Sequence, residues 1–126
     1  MTKNSVFRVV AMAALIVLPV SLASAASKDQ KLANQGFSYI EKGKLAEAEK
    51  VLTEAVQINP NNAYALVNLG TVYQRTGRFD QARELFEKVI AMNSTENPPK
   101  RSKFLDESKN MKEIAEYNLA TLPPKK

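Results

Sequence analysis

Side chains able to move a proton are present, but none has the company that catalysis needs. The candidate acids and bases are Glu41, Glu47, Glu49, Glu84 and Glu87, with four tyrosines. The chain has no His, no Cys and no Trp. A Ser-His or Cys-His nucleophile pair is therefore excluded. So is a redox disulfide. Zinc, copper and haem sites normally draw on the missing residue types. Glu47, Glu49, Glu84 and Glu87 fall on outward helical stripes, where charge is normally solvated. The four glycines follow a repeat and form no phosphate-cradling loop. The expectation is a chain that is not an enzyme, with no catalytic residue, no metal and no cofactor. What remains is recognition chemistry: Asn34 and Asn68 carry amides that can exchange hydrogen bonds with a partner's backbone or cap local structure.

Those two asparagines stand 34 residues apart, and they are not alone. Aligning 29–62 on 63–96 without a gap also pairs Leu32 with Leu66, Gly36 with Gly70, Tyr39 with Tyr73, Gly43 with Gly77, Ala48 with Ala82 and Asn59 with Asn93. Fixed-period self-similarity of this length marks a repeat architecture. Within each copy, apolar residues recur at helical steps of three and four, in two runs. The first runs carry Leu32, Tyr39 and Ile40, then Leu66, Leu69 and Tyr73. The second runs carry Leu45, Ala48, Val51, Leu52, Ala55 and Val56, then Phe79, Ala82, Leu85, Phe86, Val89 and Ile90. Gly43 and Gly77 sit where each helix pair must turn, in a left-handed conformation that glycine adopts cheaply. Ser27-x-x-Gln30 is a candidate capping box, and Asn61-Asn62 a candidate cap after Pro60. Gly36 and Gly70 lie mid-helix at about 1 kcal/mol against alanine. A cost repeated at one phase implies that two helices cross there, with Ala48 and Ala82 expected opposite.

The residues Leu66, Leu69-Gly70, Tyr73, Gly77, Ala82, Phe86 and Val89 resemble the tetratricopeptide repeat. Leu32, Gly36, Tyr39, Gly43, Ala48, Leu52, Ala55 and Pro60 resemble it again one period earlier. Gln35 and Ser94 depart from the pattern where Leu and Pro are usual. The resemblance implies an all-α fold: a right-handed superhelix of two helix pairs plus a C-terminal capping helix. It also implies a concave face, lined by the first helix of each pair, that binds a peptide or a partner's helix. Residues placed on that face include Ala33, Glu41, Val67 and Gln74, and the expected partner-binding groove is Asn34, Phe37, Ile40, Tyr64, Asn68, Thr71 and Arg75. Phe37 and Ile40 fit two roles: partner contact, or packing against the N-terminal stretch or a second subunit. Some relatives in this family grip a partner's C-terminal carboxylate with paired Lys and Asn. Asn68 matches one such position, but Ala33 and Phe37 stand where Lys and Asn are needed, so no such clamp is expected.

Residues 1–25 read as a cleaved secretory signal. Lys3 and Arg8 give the basic start, Val9 to Leu18 the apolar middle and Ala23-Ser24-Ala25 the small-residue exit. The apolar stretch is shorter than the roughly 20 residues a spanning helix needs, so no stable membrane insertion is expected after cleavage. A periplasmic or secreted bacterial protein follows. Basic residues outnumber acidic ones by 18 to 13, a net charge of +5, with both signs interspersed. Its densest run, Lys100-Arg101-Ser102-Lys103, has no interleaved aromatics, so nucleic acid is not an expected partner.

The domain is expected over 26–122, with repeats 29–62 and 63–96, an irregular connection 97–103 containing Pro98-Pro99, and a C-terminal helix 104–122 before the tail 123–126. Asn118-Leu119 echoes Asn68-Leu69, which suggests a degenerate third repeat. Glu116 falls where that repeat needs a large apolar residue, which favours a capping helix. The leading function is an exported adaptor or scaffold for another protein or peptide. The alternative is a self-associating structural module, a homo-oligomer that uses the groove as its interface.

Overall fold

The computed structural model describes residues 20–99 and 109–126, with side chains from 28 onward. Of the expected leader, 1–19 lie outside the described residues, as do the basic run 100–103 and Phe104-Leu105. Five helices form among the described residues: α1 (Val20–Glu41), α2 (Leu45–Ile58), α3 (Ala63–Arg75), α4 (Phe79–Ala91) and α5 (Met111–Ala120). No described residue is in a strand. The architecture is an all-helical repeat: two antiparallel pairs, α1–α2 and α3–α4, followed by α5.

The two pairs turn by the same mechanism. Gly43 and Gly77 have φ of 72° and 78°. In the first turn Lys44 N–H donates to Tyr39 O (2.8 Å) and Gly43 N–H to Ile40 O (3.0 Å). In the second, Arg78 N–H donates to Tyr73 O (2.8 Å) and Gly77 N–H to Gln74 O (3.2 Å). These paired bonds satisfy carbonyls that a helix end otherwise leaves orphaned. Between the pairs, Asn62 caps α3 by accepting from Ala65 N–H at 2.9 Å. Asn93 closes α4 in the left-handed region with φ 51°, a conformation asparagine tolerates.

Two local expectations are corrected. Ser27 lies inside α1 and not at its start, because the helix already runs from Val20 through the alanine-rich stretch, where propensity favours continuation. The expected C-terminal helix is interrupted at Lys109-Asn110, and α5 begins at Met111; the expected start at 104 lies outside the described residues. Asn110 accepts from Glu113 N–H and Glu113 Oε2 accepts from Asn110 N–H, a reciprocal cap that fixes the start. Its other free amides reach back to the end of the second repeat: Met111 N–H donates to Glu96 O and Lys112 N–H to Ser94 O.

The mid-helix glycines do mark close crossings, but the residues pressing on them are not Ala48 and Ala82. A Cβ on Gly70 would lie 2.6 Å from Phe86, and one on Gly36 would overlap Leu52. The larger side chains fill the space that the missing Cβ leaves. Leu52, Leu66, Val67, Val72, Phe86, Val89 and Met111 are fully buried. At about 1.5–3 kcal/mol each, such side chains supply the cohesion that a disulfide would otherwise add. Helix α3 lies at the centre, in contact with α1, α2, α4 and α5. Helix α5 packs on α4 and α3 as α3 packs on α2 and α1. It buries Met111, Ile114 and Ala115 against the second pair.

Candidate functional site

Helices α1 and α3 lie side by side, and α5 borders α3 on its other flank. Between them is a cleft of about 420 Å³, lined by Phe37, Ile40 and Glu41 from α1, Asn68, Thr71 and Arg75 from α3, and Asn118 from α5. Five of the seven residues expected to form the groove are brought together there. Asn34 stands apart on the exposed side of α1, where its Oδ1 accepts from Gln30 Nε2. Tyr64 lies beneath the cleft, its ring tilted against Phe37 at 6.1 Å between centroids.

Phe37 and Ile40 form a nearly closed apolar floor, each about 8% exposed. They pack within the chain, Phe37 on Tyr64 of α3, which is a role the sequence did not suggest. Ala33 and Val67, expected on the open face, are fully buried. The face is narrower than helical periodicity implies, because α1 and α3 meet along it.

The polar groups of the cleft are held by specific bonds. Arg75 Nη1 donates to Ile40 O at 3.1 Å, which ties α3 to the end of α1. Thr71 Oγ1 donates to Val67 O, which commits its proton and leaves its oxygen able to accept. Gln74 Nε2 donates to Thr121 Oγ1 at 3.0 Å and fastens α3 to the end of α5, close to Asn118. Burial pushes the Tyr64 hydroxyl up to about 12, with the Asn68 amide opposing and the Glu41 charge reinforcing. The phenol therefore stays protonated at neutral pH. Asn68 itself is 3% exposed; its amide lies close enough to the Tyr64 oxygen to oppose the rise, yet its buried Nδ2 makes no hydrogen bond of good geometry. The cleft thus combines an apolar floor, a spare amide donor, a hydroxyl acceptor and one charge of each sign. It suits an apolar side chain flanked by main-chain amides.

Asn118 is the lining residue that sequence reasoning placed neither in the groove nor, like Glu41, on the concave face. Its signal was present in the echo between Asn118-Leu119 and Asn68-Leu69. Glu49 was also misjudged as simply solvated. It is clasped by Arg78, with Nη1 to Oε1 at 2.8 Å and Nη2 to Oε2 at 2.6 Å. Arg78 also lies 4.4 Å over the Tyr73 ring. A larger opening, about 760 Å³, lies between the start of α4 and the tail 123–126. It is walled partly by the chain's last residues, and Arg83 Nη2 holds Pro123 O there at 2.6 Å. Among the described residues no group of His, Cys, Asp or Glu is placed to hold a metal ion. No described helix is long and apolar enough to cross a membrane.

Residues 39–98, from the last turn of α1 through α4, match the family described as tetratricopeptide repeat. That stretch of the chain is a tetratricopeptide repeat match. It is 35% identical over 77 residues to "Uncharacterized protein ycf37" of Pyropia yezoensis, covering 60% of this chain and 43% of that protein. It is 39% identical over 56 residues to "Cellulose synthase operon protein C" of Komagataeibacter xylinus, covering 44% of this chain and 4% of that protein. The chain thus spans less than half the length of either relative. Tetratricopeptide repeats are in general protein–protein interaction modules, and this one presents its cleft on the first helices of its pairs.

Proposed function

We propose that this tetratricopeptide protein is an exported adaptor or scaffold. It holds a peptide or helix of a partner protein in the cleft between α1 and α3, in the periplasm or outside the cell. The observation that carries the reading is Asn68. A buried amide donor without a partner costs about 1–3 kcal/mol. A partner's carbonyl oxygen entering over Phe37 and Ile40 relieves that cost, and Thr71 offers an acceptor to a neighbouring N–H. Export rests on the leader pattern of residues 1–25.

The test places a photoreactive residue at Thr71 in the full chain, crosslinks in exporting cells, and identifies the adducts by mass spectrometry. A distinct second protein is expected, with its adduct lost on Asn68→Ala or Arg75→Glu. Adducts formed solely with another copy of this chain would replace the adaptor with the self-associating module. Adducts with no protein at all would remove the cleft as a binding site.

A further inference from the structure

Asp29 is 2% exposed, although it belongs to a residue type that is rarely buried. Its Oδ2 accepts two hydrogen bonds from the loop between the repeats, Asn62 Nδ2 at 2.8 Å and Asn59 Nδ2 at 3.0 Å. Its Oδ1 is buried with no partner. Both amides are neutral, so the carboxylate gains donors there but no opposite charge. The neighbouring cation on α1, Lys28, reaches instead to Glu54 Oε1 on α2 at 2.7 Å. Lys31 is exposed. A buried carboxylate with a spare oxygen and no cation is a receptor for a cationic donor.

The register of α1 supplies one. Ala26 stands three residues before Asp29, inside a helix that begins at Val20. It is also the first residue left by a cut after Ala25. Residues three apart share a helical face, and side chains lean toward the helix N-terminus. A carboxylate at the third position of a helix therefore reaches back to the first nitrogen, as in a capping box. Hydrolysis of the Ala25–Ala26 bond by a signal peptidase consumes one water. Oxygen passes to the Ala25 carbonyl carbon, the nitrogen keeps the electron pair of the broken bond, and at neutral pH it becomes an ammonium.

We propose that Asp29 is the receptor for the α-ammonium of the mature chain, so that removing the leader locks the new start of α1 to the loop between the two repeats. This rests on the export reading above. A paired ammonium has a raised pKa. Its contribution to stability is complete below the ordinary α-amino value and is lost as pH rises through the raised one.

The experiment expresses the full chain with its leader in an exporting bacterium, purifies the periplasmic protein and reads its N-terminus by mass spectrometry. The Ala26 amine is then titrated by NMR. The expected result is a start at Ala26 and a pKa at least one unit above the ordinary value of about 7.7–8.0, falling back toward it in D29N. The wild-type titration decides the matter even if D29N does not fold. A start at Ala26 with an ordinary pKa overturns the inference and leaves export standing. A start at Ser27 overturns its register. An intact leader overturns the export reading and this inference with it.

Discussion

Gly70 and Phe86 show how finely a single position is set. Alanine is the better helix former by about 1 kcal/mol, so Gly70→Ala would stabilise an isolated α3. In the folded chain the new Cβ meets the Phe86 ring at 2.6 Å, and that ring is fully buried. Overpacking of this kind costs about 1–3 kcal/mol, so the packing loss wins. Gly70→Ala is expected to lower stability by up to about 2 kcal/mol in urea denaturation. Adding Phe86→Leu should recover part of the loss, whereas additive effects of the two changes would refute the contact. The sequence exposed the glycines through their cost and their period. It did not expose what they touch, because the rotation of α2 and α4 about their own axes depends on the turns. Asp29 was illegible for a related reason: its partners Asn59 and Asn62 lie 30 and 33 residues away.

Among the elements, the turns were the most legible and α5 the least. A glycine after each first helix is a local signal, and the bonds that satisfy it are local too. The start of α5 was missed because apolar residues on both sides of Asn110 continue a helical rhythm, while Asn110 and Glu113 close the helix by hydrogen bonds that rhythm does not encode. Arg78 links elements in a way that neither repeat suggests alone. It follows the second turn, clasps Glu49 on α2 and thereby joins the two pairs. Hydrogen bonding from Arg78 holds the Glu49 carboxyl below its usual range, against the opposing effect of burial. A lowered carboxyl pKa stabilises the fold above the ordinary carboxylate range and ceases to do so as pH falls through the lowered value. Glu49→Gln should therefore be less stable than the parent at neutral pH. The difference should close as pH drops below the ordinary Glu value of about 4.3. A gap in melting temperature that persists at pH 2 would count against the pair as its source. Arg78→Lys should behave like Glu49→Gln, since an ammonium cannot engage both carboxylate oxygens in the same fork.

On the scale of the whole molecule, each helix pair packs on its neighbours in sequence, as the period implied. The concentration of contacts on α3 was not implied. Two full repeats and one further helix leave a single helix touching all the others, and residues Asn62 through Gly70 are buried without a break. Backbone amides of α3 are expected to exchange with deuterium most slowly, at the rate of global unfolding. Those at the tip of α5, beside the exposed Tyr117, should exchange fastest among the helices. Equal protection across the five helices would show that the stack unfolds as one unit with no frayed end.

The cleft is carved from that same central helix. Asn68, Thr71 and Arg75 are residues of the element that touches all the other described helices. Whatever occupies the cleft therefore discriminates against the unfolded chain as a whole, and occupancy is written directly into thermal stability. At a free concentration one hundred times its Kd, a ligand adds about 2.7 kcal/mol to the folded state. A melting curve, with no label and no knowledge of the partner, becomes an assay for finding it.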